Sequence, residues 1–82
     1  MKNGNDLIQQ YISMSPEICH GKPCFKGSRI MVYLVLEMLE DGASFEEIKE
    51  AYPSLTPDHI KATLHYAAKV LEQRELHPAF LK

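Results

Sequence analysis

Between Pro16 and Met31 the chain carries two prolines and two glycines, Pro16, Gly21, Pro23 and Gly27. Proline lacks a backbone donor and clashes with the preceding helical turn, so no continuous helix passes through this stretch. Cys24-Phe25-Lys26 and Arg29-Ile30 read instead as short extended pieces joined by turns, with Gly21 and Gly27 at positions of positive φ. Ahead of them, residues 11–14 read as a strand that Ser15-Pro16 ends. Residues 11–31 are therefore expected to form a β-hairpin arm. Residues 1–10 are expected to be a flexible or short helical N-terminus outside the domain.

After the arm the period changes. Val32, Leu34, Val35, Met38 and Leu39 fall near helical spacing, with Glu37, Glu40 and Asp41 on the polar side and Gly42 placed to end the helix. Ser44 and Glu47 have the spacing of a capping box, which predicts a short helix with Phe45, Ile48 and Ala51 on one face, stopped by Pro53. Thr56 and Pro57 mark a third start, with proline at the first helical position, where a missing N–H costs nothing. Ile60, Leu64, Ala67 and Leu71 follow at spacings of four, three and four, and the pattern predicts that this face is buried. Lys61, His65, Lys69 and Glu72 lie opposite. The expected helices cover about 31–41, 44–51 and 57–74, and residues 75–82 form a tail.

The fold class expected is a single, mostly α domain: three helices of helix-turn-helix type, homeodomain-like or winged-helix-like, behind an N-terminal β arm. A chain of 82 residues, 45% of them hydrophobic, builds only a small core. Self-pairing is one common way for such a domain to gain stability. Tyr11, Ile12, Met14 and Phe25 are large apolar residues in an arm that cannot bury them alone, and Phe80 and Leu81 add two more in the tail. These six are the candidate dimer or partner interface.

Net charge is -2, from nine basic and eleven acidic residues, which is not the balance of a typical nucleic-acid binder. The distribution is polarised. Lys22, Lys26 and Arg29 stand without acids in the arm, whereas residues 37–50 hold six acids and one base. If the last two helices are a helix-turn-helix, the second presents its N-terminal residues to base edges. The candidate DNA contacts are then Lys22, Lys26 and Arg29 from the arm and His59, Lys61 and His65 from the helix. Asp58 at the front of that helix opposes the assignment.

Three runs resemble the domain of unknown function 433 family. They are Pro16-Glu17-Ile18-Cys19-His20-Gly21-Lys22-Pro23-Cys24-Phe25-Lys26-Gly27-Ser28-Arg29-Ile30, then Leu39-Glu40-Asp41-Gly42-Ala43-Ser44-Phe45-Glu46-Glu47-Ile48, then Tyr52-Pro53-Ser54-Leu55-Thr56-Pro57-Asp58-His59-Ile60-Lys61-Ala62-Thr63-Leu64. The resemblance covers roughly residues 11–71. It implies a dimeric helix-turn-helix protein acting as the antitoxin of a type II toxin–antitoxin pair, similar in role to VapB-type antitoxins. The implied partners are a PIN-like ribonuclease toxin encoded beside it and its own operator DNA. Gly21, Lys22, Pro23, Gly27, Arg29 and Pro53 match the family pattern, and Ser28 stands where the family more often has Thr, keeping the hydroxyl. Arg29 could bond a carboxylate or phosphate in bidentate fashion, or pair structurally with Glu37 or Asp41. A module that binds protein without DNA is the rival reading, favoured by the acidity.

Other chemistry finds less support. Cys19, His20 and Cys24 could ligate a metal with a fourth ligand from His59, His65 or His77, but structural zinc sites favour two spaced pairs, and two small buried thiols are the plainer expectation. Ser28, His20 and Asp41 do not amount to a catalytic motif; no enzyme, metal or cofactor is expected. The opening Met1-Lys2-Asn3-Gly4-Asn5-Asp6 leads into no apolar signal region, and no run approaches the length of a membrane span. A reducing, cytoplasmic setting is expected, without a disulfide.

Overall fold

The computed structural model describes residues 4–14, 17 and 19–73. It contains α1 (Gly4–Tyr11), β1 (Ile12–Ser13), β2 (Cys24–Phe25), α2 (Val32–Glu40), α3 (Phe45–Ala51) and α4 (Pro57–Gln73). Among the described residues the architecture is a small, mostly helical domain of four α-helices with one two-stranded antiparallel ribbon. The last three helices stand where periodicity and caps place them. The short helical alternative for the N-terminus is the one seen: residues 4–11 form α1, taking Tyr11 from the expected strand, with Leu7 in the core and α4 as the main packing partner. The N-terminal segment is thus part of the packed unit, because Leu7, Ile8 and Tyr11 give it an apolar face that α4 receives.

The ribbon is shorter than expected, with Ile12 paired to Phe25 and Ser13 to Cys24. The same Cys24 bridges to Met31 on its other side, so the arm is threaded into the domain. Backbone bonds continue the join: Lys26 N–H donates to Tyr11 O at 2.9 Å and Val32 N–H to Pro23 O at 3.0 Å. Ile12 and Phe25 are 5% and 1% exposed and sit in one core with Val32, Val35, Ile48, Leu55 and Ala62. The sequence marked both as a partner interface. Their register turns them inward between α1 and the later helices, so their apolar area is already buried within the one chain.

The turn after β2 shows why Gly27 and Ser28 occur where they do. Gly27 has φ +78, a conformation that costs a residue with a Cβ about 1–2 kcal/mol. Ser28 Oγ donates to Phe25 O at 2.8 Å and accepts from Ile30 N–H at 3.1 Å, closing the turn. Ser28→Ala leaves Ile30 N–H without this acceptor, while Phe25 O keeps the Ser28 N–H at 3.1 Å. The expected loss is about 1–2 kcal/mol in urea unfolding, with Ser28→Thr close to wild type because the hydroxyl stays.

Local chemistry sets the helix ends. Asp41 closes α2 with its N–H on Glu37 O, and Gly42 follows at φ +86. At α3 the capping box is complete: Glu47 N–H donates to Ser44 Oγ at 3.1 Å and Ser44 N–H to Glu47 Oε1 at 2.8 Å. The single base of the acidic stretch, Lys49, donates to the carbonyls of Pro53 and Leu55 at 3.1 and 3.4 Å and so holds the connection to α4. Leu55 is buried beneath it.

The face of α4 that meets the core matches the expected one only at Ile60. Ala62 and Thr63 are fully buried, and Ile60 and Tyr66 pack alongside. Thr63 tolerates this because its hydroxyl donates to His59 O at 2.9 Å. Leu64 and Leu71 are 52% and 59% exposed. α4 is apolar over more than one face, and α1, which the sequence left outside the domain, takes one about a third of a turn away from the predicted stripe.

Candidate interaction site

The basic residues of the arm face different neighbours. Lys26 Nζ donates to Gln9 O, one of the carbonyls that α1 leaves unpaired at its C-terminus, where a cation is also favoured by the helix dipole. Lys22 Nζ lies 5.4 Å from the centre of the Tyr33 ring, a cation–π distance. Arg29 lines a cleft of about 210 Å³ with Glu17, Cys19, His20 and Met31. Among the described residues it makes no ion pair with Glu37 or Asp41; its side chain lies in this cleft, while those acids stand in the last turn of α2 and at its C-cap. Of the three, Lys26 has a structural partner that a phosphate would have to displace.

The front of α4 is also engaged. Thr56 O accepts the first helical bond, from His59 N–H at 3.0 Å. In return, His59 Nδ1 accepts from Thr56 N–H at 3.0 Å and stands 2.8 Å from Thr56 Oγ1. The imidazole therefore fills the position a Glu holds in a capping box. A neutral ring with its proton on Nε2 is required, since Nδ1 is the acceptor. The ring packs 4.5 Å from Tyr11 and 5.4 Å edge-on to Phe25, centre to centre. Burial there pushes its pKa below the ordinary histidine value, against the opposing pull of Asp58. His59 is therefore a joint between α1, β2 and α4, and its expected contact with bases is corrected. Its neighbour Asp58 accepts from Tyr11 hydroxyl at 3.3 Å. Burial first, then the Asp58 carboxylate, raises the Tyr11 pKa. Lys61 remains exposed and His65 half-exposed on the same helix.

Cys19 and Cys24 are both reduced and buried. Cys19 Sγ donates to Arg29 O at 3.5 Å, and Cys24 Sγ lies 3.9 Å from Ser28 O. Burial, helped by the neighbouring Cys19, pushes the Cys24 thiol up to about 11, so it stays protonated and unreactive. Cys19 and His20 take φ of +54 and +56 ahead of Gly21, a left-handed turn that sequence reading assigned only to the glycine. Among the described residues, no three His, Cys, Asp or Glu side chains gather as metal ligands. No described helix is long and apolar enough to cross a membrane.

Of the expected interface residues, Tyr11 is tied to Asp58 and His59, and Met14 stays exposed with the Tyr66 hydroxyl 3.4 Å from its sulfur. Phe80 and Leu81 lie outside the described residues. The exposed apolar surface that sequence reading missed is on α4: Leu64 and Leu71, with Ala68 exposed between them and Ala67 half-exposed beside them, whereas Ile60 packs against the core. Its signal was in plain view as the four-three-four spacing; only the assumption that such a stripe faces the core concealed it.

The family described as "Protein of unknown function (DUF433)" matches residues 12–67, which spans both strands and the helices through most of α4. This chain belongs to that family. The crystal structure of a DUF433 member from Anabaena variabilis ATCC 29413 superposes with a TM-score of 0.71 at 29% identity, covering 84% of this chain and 68% of the other. The uncharacterised protein y4eO of Sinorhizobium fredii is 36% identical over 59 residues, or 72% of this chain. The matched region is 27% of y4eO, so this DUF433 chain spans about a quarter of that relative's length.

Proposed function

We propose that this DUF433 chain is the antitoxin half of a type II toxin–antitoxin pair, a cytoplasmic module that neutralises a PIN-like ribonuclease by binding it. The observation that carries the reading is the second apolar face of α4. A closed core leaves Leu64 and Leu71 more than half exposed on one stripe, and amphipathic helices with anchors at this spacing are a recurring protein-recognition surface. The partner class follows from the sequence resemblance. The test is direct: the purified chain is mixed with the PIN-like ribonuclease encoded beside its gene, and RNA cleavage is followed. An equimolar amount of chain should suppress cleavage and co-elute with the ribonuclease. Cleavage unchanged by a tenfold excess of chain sinks the reading.

A second activity, operator binding by a helix-turn-helix, is favoured by α3, the Lys49-held turn and α4, and by exposed Lys22, Arg29 and Lys61. Asp58, an inward His59 and the exposed acids of α2 and α3 weigh against it. Anisotropy on its upstream DNA against a scrambled duplex, at several salt concentrations, decides it. Specific, steeply salt-dependent binding that Lys22→Ala, Lys26→Ala and Arg29→Ala together weaken would add DNA to the account; equal binding to both duplexes would remove it.

A further inference from the structure

We infer that Cys19, Cys24 and Met31 form a three-sulfur site for a soft monovalent cation of the Cu(I) class, reached through the cleft that Arg29 lines. This goes beyond the protein-binding role and does not depend on it. Cys24 and Met31 are antiparallel cross-strand partners. The bonds from Val32 N–H to Pro23 O and from Phe25 N–H to Ile30 O flank the pair, which makes it the non-hydrogen-bonded kind. In such a pair the two side chains leave the same face, with Cβ atoms about 4.5–5.5 Å apart. Cys19 enters from a separate turn. Its Sγ donates to Arg29 O at 3.5 Å, while Cys24 Sγ lies 3.9 Å from Ser28 O, so the two thiols close on successive carbonyls of one turn. Cys19 and Met31 also line the same cleft, with Cys24 behind them at 1% exposure. Sulfurs from three segments of the chain thus converge.

The donor set selects the ion. Thiolate and thioether sulfurs favour soft Cu(I), whereas structural zinc wants four ligands and draws them from Cys, His and carboxylates. Sequence reading sought the missing ligand among the histidines, but His59 Nδ1 is occupied by Thr56. Met31 supplies the donor instead, brought beside Cys24 by strand pairing. Binding forms two thiolate–metal bonds and sends both thiol protons to solvent; no electron moves. Two thiolates and one monovalent cation leave one negative charge. Arg29 lies in the same cleft, and its charge already favours the Cys24 thiolate, so that charge has a counter-ion. The Glu17 carboxylate lines the cleft too, but it is a hard donor that a soft ion passes over. The proton that Cys24 holds tightly keeps oxidants off the thiol, and a soft cation displaces it. Cys19 and His20 keep positive φ although both carry a Cβ, and backbone held this way often serves to present a side chain to a ligand.

Anaerobic titration of the reduced, full-length chain with Cu(I), buffered by a chromogenic chelator, tests this. The wild type should take up one equivalent. The readouts are loss of the chelator's colour and growth of a thiolate-to-copper charge-transfer band, and X-ray absorption of the loaded chain should show sulfur neighbours only. About a tenfold excess of Zn(II) should leave the copper in place. Met31→Leu conserves side-chain volume, so it should keep the circular dichroism of the wild type while weakening copper retention by about tenfold. Cys19→Ala, with its fold checked the same way, should weaken retention by about a thousandfold. A wild type that leaves the copper on the chelator, or yields it to Zn(II), overturns the inference. So does retention unchanged in Cys19→Ala. Retention unchanged in a folded Met31→Leu removes the thioether and overturns the three-sulfur site.

Discussion

Phe25→Ala is expected to destabilise the domain by about 3–5 kcal/mol, the largest effect of any single truncation here. Phe25 is 1% exposed and lies where every part of the fold converges. Its backbone pairs with Ile12, its N–H donates to Ile30 O at 2.9 Å, its carbonyl receives Ser28, and its ring meets His59 edge-on. Removing the ring leaves a cavity that neighbours held by these bonds cannot collapse into. Small domains have total stabilities toward the low end of about 5–15 kcal/mol, so the variant should sit near its unfolding midpoint without denaturant. Urea unfolding followed by circular dichroism checks it. A loss under about 1 kcal/mol would mean that the ribbon is not part of the cooperative core. Replacing Ile12 and Phe25, two of the expected interface residues, by Asp should unfold the domain by burying two charges without partners.

His59→Ala should cost about 2–3 kcal/mol, from the lost contacts with Tyr11 and Phe25 and from Thr56 N–H losing its acceptor. His59→Gln should recover part of the loss, because a glutamine oxygen can take the same capping position. The histidine also carries a pH signature. Its folded pKa lies below the unfolded value, chiefly through burial, so the unfolded chain binds the extra proton more readily. Stability from His59 is therefore complete above the unfolded histidine value, about pH 6.5, and is lost as pH falls through the lower folded value. Protonation at Nδ1 would also set a donor against Thr56 N–H. Urea midpoints between pH 7.5 and 5 should fall in the wild type and fall less in His59→Gln. Parallel curves for the two proteins would assign the acid sensitivity to other groups.

The exposed face of α4 gives these stability arguments a functional counterpart. Leu64→Glu should leave the urea midpoint nearly unchanged while weakening capture of the ribonuclease, the reverse of Phe25→Ala. That contrast separates the residues that hold the domain together from those that meet a partner.

What the sequence by itself determined is whatever depends on a few neighbouring residues. Gly27 and Gly42 adopt the positive φ expected of them, Ser44 and Glu47 close their reciprocal cap, and Pro57 opens α4. Each of these is settled by bonds or steric limits within about four residues, so its signal is local and survives in any fold. The tertiary structure alone decided which face of α4 is buried. Ile60, Leu64, Ala67 and Leu71 make a regular stripe, yet Leu64 and Leu71 stay exposed while Ala62, Thr63 and Tyr66 join Ile60 in the contact. Periodicity says that a helix has an apolar side; when apolar residues cover more than one side, only the identity of the packing partner selects between them. That partner is α1, a segment of eight residues whose helicity depends on docking rather than on its own propensity. The same docking turned His59 from a candidate base reader into a half-buried cap, because Tyr11 and Phe25, far away in sequence, arrive over its ring.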